Sequence, residues 1–278
     1  MLKLNKIKKQ LICYAATGAL STLLMCPGIA QAQIKINPLV IEKEARQGKA
    51  QGVINITNTS TKTFRARVYA LPFTYNQDKF EELKSSSQDL TPFLTFSPRE
   101  LVLQPGQTRQ IRVSSRFLPS SKKGEYRAVI FTEDLEEIKT INGNQNIGLT
   151  PRIGVTVYVR HGDVAPNLKV ESASYNPQTK KIVLKVKNSG NATARPEVAW
   201  NLTNSAAKVA DGKAEAYTVI ATGERNIEID LPANKKEISA GKYQLTGELT
   251  WNDGDKKKTL PFNVNVTIPD KVATTENK

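Results

Sequence analysis

Cysteine is confined to the first 26 residues of this 278-residue chain, at Cys13 and Cys26, and histidine occurs once, at His161. Beyond residue 26 there is no thiol for a disulfide, a thiolate metal site or a cysteine nucleophile. A Gly-rich phosphate loop is also missing: GNQNIG (143–148) has no helix after it to give it meaning. The acid pairs Glu81-Glu82 and Glu136-Glu137 fall in polar stretches that mark solvation, and His161 has no nucleophile elbow near it. Asp253-Gly254-Asp255 is followed by three lysines and reads as a hairpin tip, not a calcium loop. Helical periodicity is absent too. These gaps argue against an enzyme and imply no cofactor and no metal.

What is present begins with a targeting pattern. Lys3, Lys6, Lys8 and Lys9 precede an apolar stretch, Leu11 to Cys26, and then Ala30-Gln31-Ala32. Basic, apolar and small-x-small regions in that order make a secretory signal peptide. The apolar stretch is about 16 residues, short of the roughly 20 that span a bilayer, so no stable membrane insertion is expected once residues 1–32 are removed. The formal charge of +14 would fall to +10 on cleavage. Basic chains can bind nucleic acid, anionic lipid or acidic protein. Here the lysines sit in short clusters beside turn residues, as at Lys180-Lys181 and Lys256-Lys257-Lys258. That is the pattern of solvated hairpin ends, and no nucleic-acid partner is expected.

From Gln33 onward the chain is a series of short strand patterns broken by Gly, Pro, Asn and Ser. The longest is Ile147 to Arg160, in which every odd position from Ile147 to Val159 is apolar. A period of two means a strand with one buried face. Fourteen residues would extend about 46 Å, whereas strands usually have about 5–6 residues. The segment should therefore outrun its sheet and leave apolar side chains in need of a partner. Asn76 to Asp89 and EEIKTINGNQN (136–146) read as polar loops, HGDVAPN (161–167) as a linker, AYTVI (216–220) as a strand, and the end from residue 270 as a disordered tail. Trp200 and Trp251 read as core.

The two halves look like a distant duplication. NITNTSTKTFRARV (55–68) parallels KVKNSGNATARPEV (185–198), each with an Asn closing a strand before a polar turn. Gly124/Tyr126 and Gly241/Tyr243 both place a Tyr just inside a strand start. There it would suit the tyrosine corner of an immunoglobulin-type sandwich, or serve as an amphipathic residue at a sheet edge. The strand rhythm gives an all-β fold: two immunoglobulin-like β-sandwich domains in tandem, at 33–162 and 163–269.

The set INITN (54–58), SPRELVLQPGQTRQIRV (97–113), GEYRAVIFTEDLEE (124–137) and IGLTPRIGVTVYVR (147–160) resembles, in order and spacing, the N-terminal domain of the PapD-like family of periplasmic pilus-assembly chaperones. The resemblance implies a periplasmic chaperone that binds pilin-like subunits, hands them to an outer-membrane usher, and lends each subunit a missing strand. It makes Ile147, Leu149 and Pro151 the donated edge and leaves Ile153, Val155, Val157 and Val159 to the chaperone's own core. The alternative is that Ile147 and Leu149 pack beneath the 136–146 loop. Family members hold the subunit's C-terminal carboxylate with a cleft Arg and Lys. Here Gly154 stands at the Lys place and Ile41 or Glu42 near the Arg place. Arg152 and Lys43 could substitute as the carboxylate anchor, or be solvent-facing strand charges. The second-domain signature Asn-Pro-x-Pro-aromatic is also absent, with NSGNATARP (188–196) in its place. A secreted or surface adhesive sandwich that binds anionic polymers is the competing expectation.

Overall fold

The computed structural model describes residues 34–136, 138–142, 145–205, 207–232 and 238–270; between 137 and 148 only strand pairing is given. The signal peptide expected at residues 1–32 and nearly all of the expected tail lie outside the described residues. The first half contains β1 (Ile34–Asn37), β2 (Val40–Glu44), β3 (Lys49–Asn58), β4 (Phe64–Leu71), β5 (Phe73–Tyr75), β6 (Phe80–Glu82), β7 (Leu94–Ser97), β8 (Glu100–Leu103), β9 (Thr108–Arg116), β10 (Gly124–Asp134), β11 (Ile138–Asn142), β12 (Gln145–Leu149) and β13 (Arg152–His161). The second contains β14 (Leu168–Asn176), β15 (Lys181–Asn188), β16 (Glu197–Asn204), β17 (Ala207–Ala214), β18 (Glu224–Ile229), β19 (Gly241–Asp253) and β20 (Lys256–Ile268). A 3-10 turn at Thr91–Phe93 is the only helical element among the described residues.

Two sandwiches result. In the first, the sheet β1-β3-β9-β7 faces the sheet β2-β13-β10-β4-β8; in the second, β14-β15-β18 faces β17-β16-β19-β20. Each has its own apolar core, because the inward positions of both sheets are large aliphatics or aromatics. Ile54, Ile56 and Ile111 meet Leu103, Ile130, Val155, Val157 and Val159 in one; Ile182, Leu184 and Ile227 meet Trp200, Leu202 and Leu245 in the other. Val155, Val157 and Val159 of β13 are therefore core, whereas Ile153, expected beside them, is only partly buried and outside that cluster.

The halves share more than a rhythm. Asn58, fully buried, donates from Nδ2 to the carbonyls of Lys62 (2.7 Å) and Leu103 (2.9 Å) and accepts the Ser60 N–H. Asn188, equally buried, donates to Ala192 (2.8 Å) and Val219 (3.1 Å) and accepts the Gly190 N–H. Tyr126 Oη donates to Lys122 O at 2.9 Å and Tyr243 Oη to Ser239 O at 2.7 Å. Both tyrosines tie their strand to backbone four residues upstream, so each is a tyrosine corner.

Several segments depart from the sequence reading. The polar stretch 76–89 contains β6, which pairs with β5 across a turn at Asn76–Lys79. In place of the loop 136–146 stands a hairpin, β11 with β12, which takes in Ile147–Leu149; the single strand expected over Ile147–Arg160 is therefore two, broken at Thr150-Pro151. AYTVI makes a single bridge, Ala194 to Val219, and the strand that joins that sheet is β17 instead. The even face of β13 is not wet either: Tyr158 is buried, because it belongs to a third cluster with Phe73, Val129, Phe131 and Ile220. That cluster lies on the outer side of β10 and β13, under the β5–β6 hairpin and a residue of the second sandwich. β10 is consequently covered on both faces.

Candidate functional site

The edge of the first sandwich changes character halfway along β13. From Thr156 to Arg160 its outer side is taken by β2, which lies parallel with Val40 opposite Thr156 and Glu44 opposite Arg160. From Arg152 to Val155 it is paired to β10 on one side only, and no described strand lies on the other. Upstream, β12 is paired only to β11. The backbone groups of this stretch that face away from β10 thus have no ladder partner, which is the exposed-edge condition soluble sandwiches usually suppress.

Apolar side chains bracket that edge. Leu149 is 54% exposed, and Pro151 beside it is exposed. At the other end Leu39 is 55% exposed, next to Val40, where β2 begins to cover the strand. Leu135, also exposed, sits where Asp134 N donates to Pro151 O. Of the residues expected to be donated, Leu149 and Pro151 stand free of this molecule's own core; the side chain of Ile147 lies outside the described residues. The contribution of Leu39 and Val40 was missed, because Pro38 marked that segment only as an edge.

The expected carboxylate anchor is not assembled. Arg152 lies opposite Glu133 on β10, whereas Lys43 lies opposite Val159. Seven residues of strand separate the two positions, roughly 23 Å. Arg152 is committed elsewhere: its guanidinium donates to Glu82 (2.6 Å) and to Tyr69 Oη (3.2 Å) and lies over the Phe131 ring. Tyr69 and Arg67 in turn donate to Glu133 at 2.5 and 2.6 Å, and these bonds hold the Glu133 carboxyl below its ordinary range. Gly154, at the family's Lys place, has no room for a side chain, since a Cβ there would come within 2.7 Å of Val129 and 3.0 Å of Phe131. An aromatic ring occupies the path that a lysine would take.

Lys43 instead lines a cleft of about 590 Å3 between the sandwiches, with Arg46, Glu42, Glu44, Tyr158, Arg160, Asn252 and Asp255. A lock forms its floor. Glu125 accepts the Thr193 N–H at 2.7 Å and the Thr193 hydroxyl, while Arg160 reaches Glu125 (3.8 Å), Asp253 (2.7 Å) and Thr193 O (3.0 Å). Burial pushes the Glu125 carboxyl up; its bonds to Thr193 and the Arg160 charge pull partly the other way. Arg195 pairs with Glu42 and lies over the Tyr158 ring at 4.7 Å, and burial lowers its guanidinium to about 10. A second seam joins the β5–β6 turn to β18: Gln77 O accepts Asn226 N–H at 2.8 Å, and Asp78 accepts Asn226 Nδ2 at 2.7 Å. His161 stacks on Phe117 at 4.7 Å. Among the described residues no cluster of His, Cys, Asp and Glu could hold a metal, and no helix is long and apolar enough to cross a membrane.

No protein-family model matches the chain, and no curated protein matches it. Solved structures do. The chain is similar to the class 5 fimbriae chaperone CfaA (14% identity, 83% of this chain and 98% of that one, TM-score 0.47). It is similar to the CsuC–CsuE chaperone–tip adhesion subunit pre-assembly complex of Acinetobacter baumannii archaic chaperone-usher Csu pili (14%, 84% and 98%, TM-score 0.47). A third is the Salmonella enterica SafA pilin in complex with the SafB chaperone (12%, 83% and 94%, TM-score 0.45).

Proposed function

We propose that this chain is a non-enzymatic, exported chaperone that shelters pilin-like subunits of a surface fibre by lending them a strand. The observation that carries the reading is the uncovered edge: β13 at Arg152–Val155 is paired on one side only, and the exposed Pro151 and Leu149 precede it. A sandwich that lacks one strand presents the complement, a ladder needing a partner and pockets needing side chains. Ile147, Leu149 and Pro151 would enter those pockets, and Leu39 and Val40 would meet the client where β2 closes the edge. The carboxylate role proposed for Lys43 is compatible with its place in the cleft, beside Arg46 rather than Arg152. An outer-membrane usher as second partner, and the periplasm as the place of action, follow from the same reading of the sequence.

The test is co-purification. Ile147→Asp/Leu149→Asp should lose a pilin-like subunit that the parent chain retains. Leu149 is exposed, and exposed substitutions away from special features usually change stability by no more than about 0.5 kcal/mol; with Ile147 donated as well, the melting temperature should hold. A collapse in stability would place both residues in this molecule's core and end the donation reading, as would undiminished capture of the subunit.

A further inference from the structure

The outer face of the β1-β3-β9-β7 sheet carries four cations and no acid, among neutral residues such as Gln51, Val53, Gln110 and Ser114. Lys35, Lys49, Arg112 and Arg116 point outward from it, and none of its four strands contains an aspartate or glutamate. Lys49 lies directly opposite Arg116 in the antiparallel register, and like charges so placed are destabilising. Among the described residues none of these four cations has an ion pair. The second sandwich treats the same problem differently. On its β14-β15-β18 sheet Lys181 is paired with Glu228 at 2.8 Å, and Lys185 with Glu224 at 2.9 Å and Glu171 at 3.3 Å. Lys169 on that sheet and Lys213 and Lys242 on its partner sheet have no ion pair among the described residues, but the β1-β3-β9-β7 strands differ in offering no acidic side chain at all.

An exposed leucine stands at the rim of that face. The ladder runs one residue past β9, with Phe117 N donating to Gly48 O, and Phe117 turns into the core. The alternation sends Leu118 outward beside Arg116, 61% exposed, at a tight turn where Ser121 Oγ accepts its N–H. Lys122 and Lys123 follow at once. A flat cationic face with an apolar tip at its edge matches an anionic bilayer: phosphates meet the cations while the tip enters the headgroup region. An acidic protein would need no such tip.

We infer that this face docks the protein reversibly on membranes rich in anionic phospholipid, with the β13 edge left free on the other sheet. Each Lys or Arg near such a surface strengthens binding about fivefold, so Lys49→Gln/Arg112→Gln/Arg116→Gln should weaken it on the order of a hundredfold. Removing the apolar tip should cost roughly tenfold more. The experiment is co-sedimentation of the full chain with phosphatidylcholine vesicles, with and without phosphatidylglycerol, at low and high salt. The parent chain, the triple variant and Leu118→Ser share one N-terminus, so any contribution of the leading apolar stretch cancels. Thermal melting checks that each variant is folded; the triple variant should melt no lower, since it relieves the Lys49–Arg116 repulsion. Binding that needs phosphatidylglycerol, falls with salt and drops in both variants supports the inference. Equal binding by the triple variant, binding independent of phosphatidylglycerol, or no vesicle binding by a chain that still captures polyglutamate would overturn it.

Discussion

Replacing Arg160 with methionine tests how firmly the two sandwiches are joined. Methionine keeps the apolar stem and deletes a guanidinium that is 16% exposed and contacts three groups: Glu125, which is 1% exposed, Asp253 at 18%, and the Thr193 carbonyl. Removing one partner of a buried pair costs about 3–5 kcal/mol, because a desolvated charge is left behind. Thr193 continues to hold Glu125 through two hydrogen bonds, so about 3 kcal/mol is expected, the lower end of that range. For a chain of this size that is on the order of 10 °C in Tm. Glu125 also fixes the sign of the pH dependence. Its folded pKa already lies above the ordinary carboxyl value, and Arg160 is among the groups that restrain it. Without Arg160 it should rise further. A carboxyl whose folded pKa is raised costs stability above that pKa, and the cost is relieved as pH falls through it toward the unfolded value. The deficit of Arg160→Met should therefore be largest near neutrality and shrink on mild acidification. Adding Glu125→Gln should recover part of the loss at neutral pH. Urea melts of the four proteins of this cycle, at neutral and mildly acidic pH, give the numbers. A deficit below about 1 kcal/mol, the range of an exposed pair, or one that grows on acidification, would show that the corner is not locked by this charge.

Further outcomes are expected. Tyr126→Phe and Tyr243→Phe should each cost about 1 kcal/mol and add in the double variant, since the corners share no partner; a neutral pair would make both hydroxyls idle. Asn188→Ala deprives the Ala192 carbonyl and the N–H groups of Asn167 and Gly190 of their Asn188 partner, while the Val219 carbonyl keeps the Ala194 N–H, and should cost about 3 kcal/mol; a loss under 1 kcal/mol in urea melts would contradict the geometry. Gly154→Ala must push Val129 or Phe131 aside and should cost roughly 1–3 kcal/mol. A Gly154→Ala chain as stable as the parent would mean that the third cluster has slack. Tyr69→Phe removes the bond that does most to depress Glu133, so that carboxyl should titrate nearer its ordinary value by NMR.

Much of this was legible in the sequence because a half-buried strand announces itself by period two. Val155, Val157 and Val159 fell on the core side, and Asn58/Asn188 and Tyr126/Tyr243 fell at equivalent places, since each pair sits where a strand meets a turn. What stayed hidden depends on neighbours far along the chain. Tyr158 looks solvent-facing until Phe73 and Ile220 arrive over it. Strand β17, AKVADGKA, is built mostly from weak strand formers, and only its pairing with β16 and the burial of Ala210 place it in the sheet. The β11–β12 hairpin had a local sign that was passed over, Asn142-Gly143 between isoleucine-bearing segments. Arg152 and Lys43 each lie beside one of the anchor places that the resemblance implies, Gly154 and Glu42, but register sets them at opposite ends of β13.

The corner built from Glu125, Arg160, Thr193 and Asp253, seconded by the seam at Asn226, has a consequence for any visitor to the bare edge. On the reading proposed above, a host joined by these bonds would spend little on closing around its guest and would adjust its angle little to suit a different one. Conformational give would then come from the guest, and selectivity would be set by which unfinished partners can bend to the template.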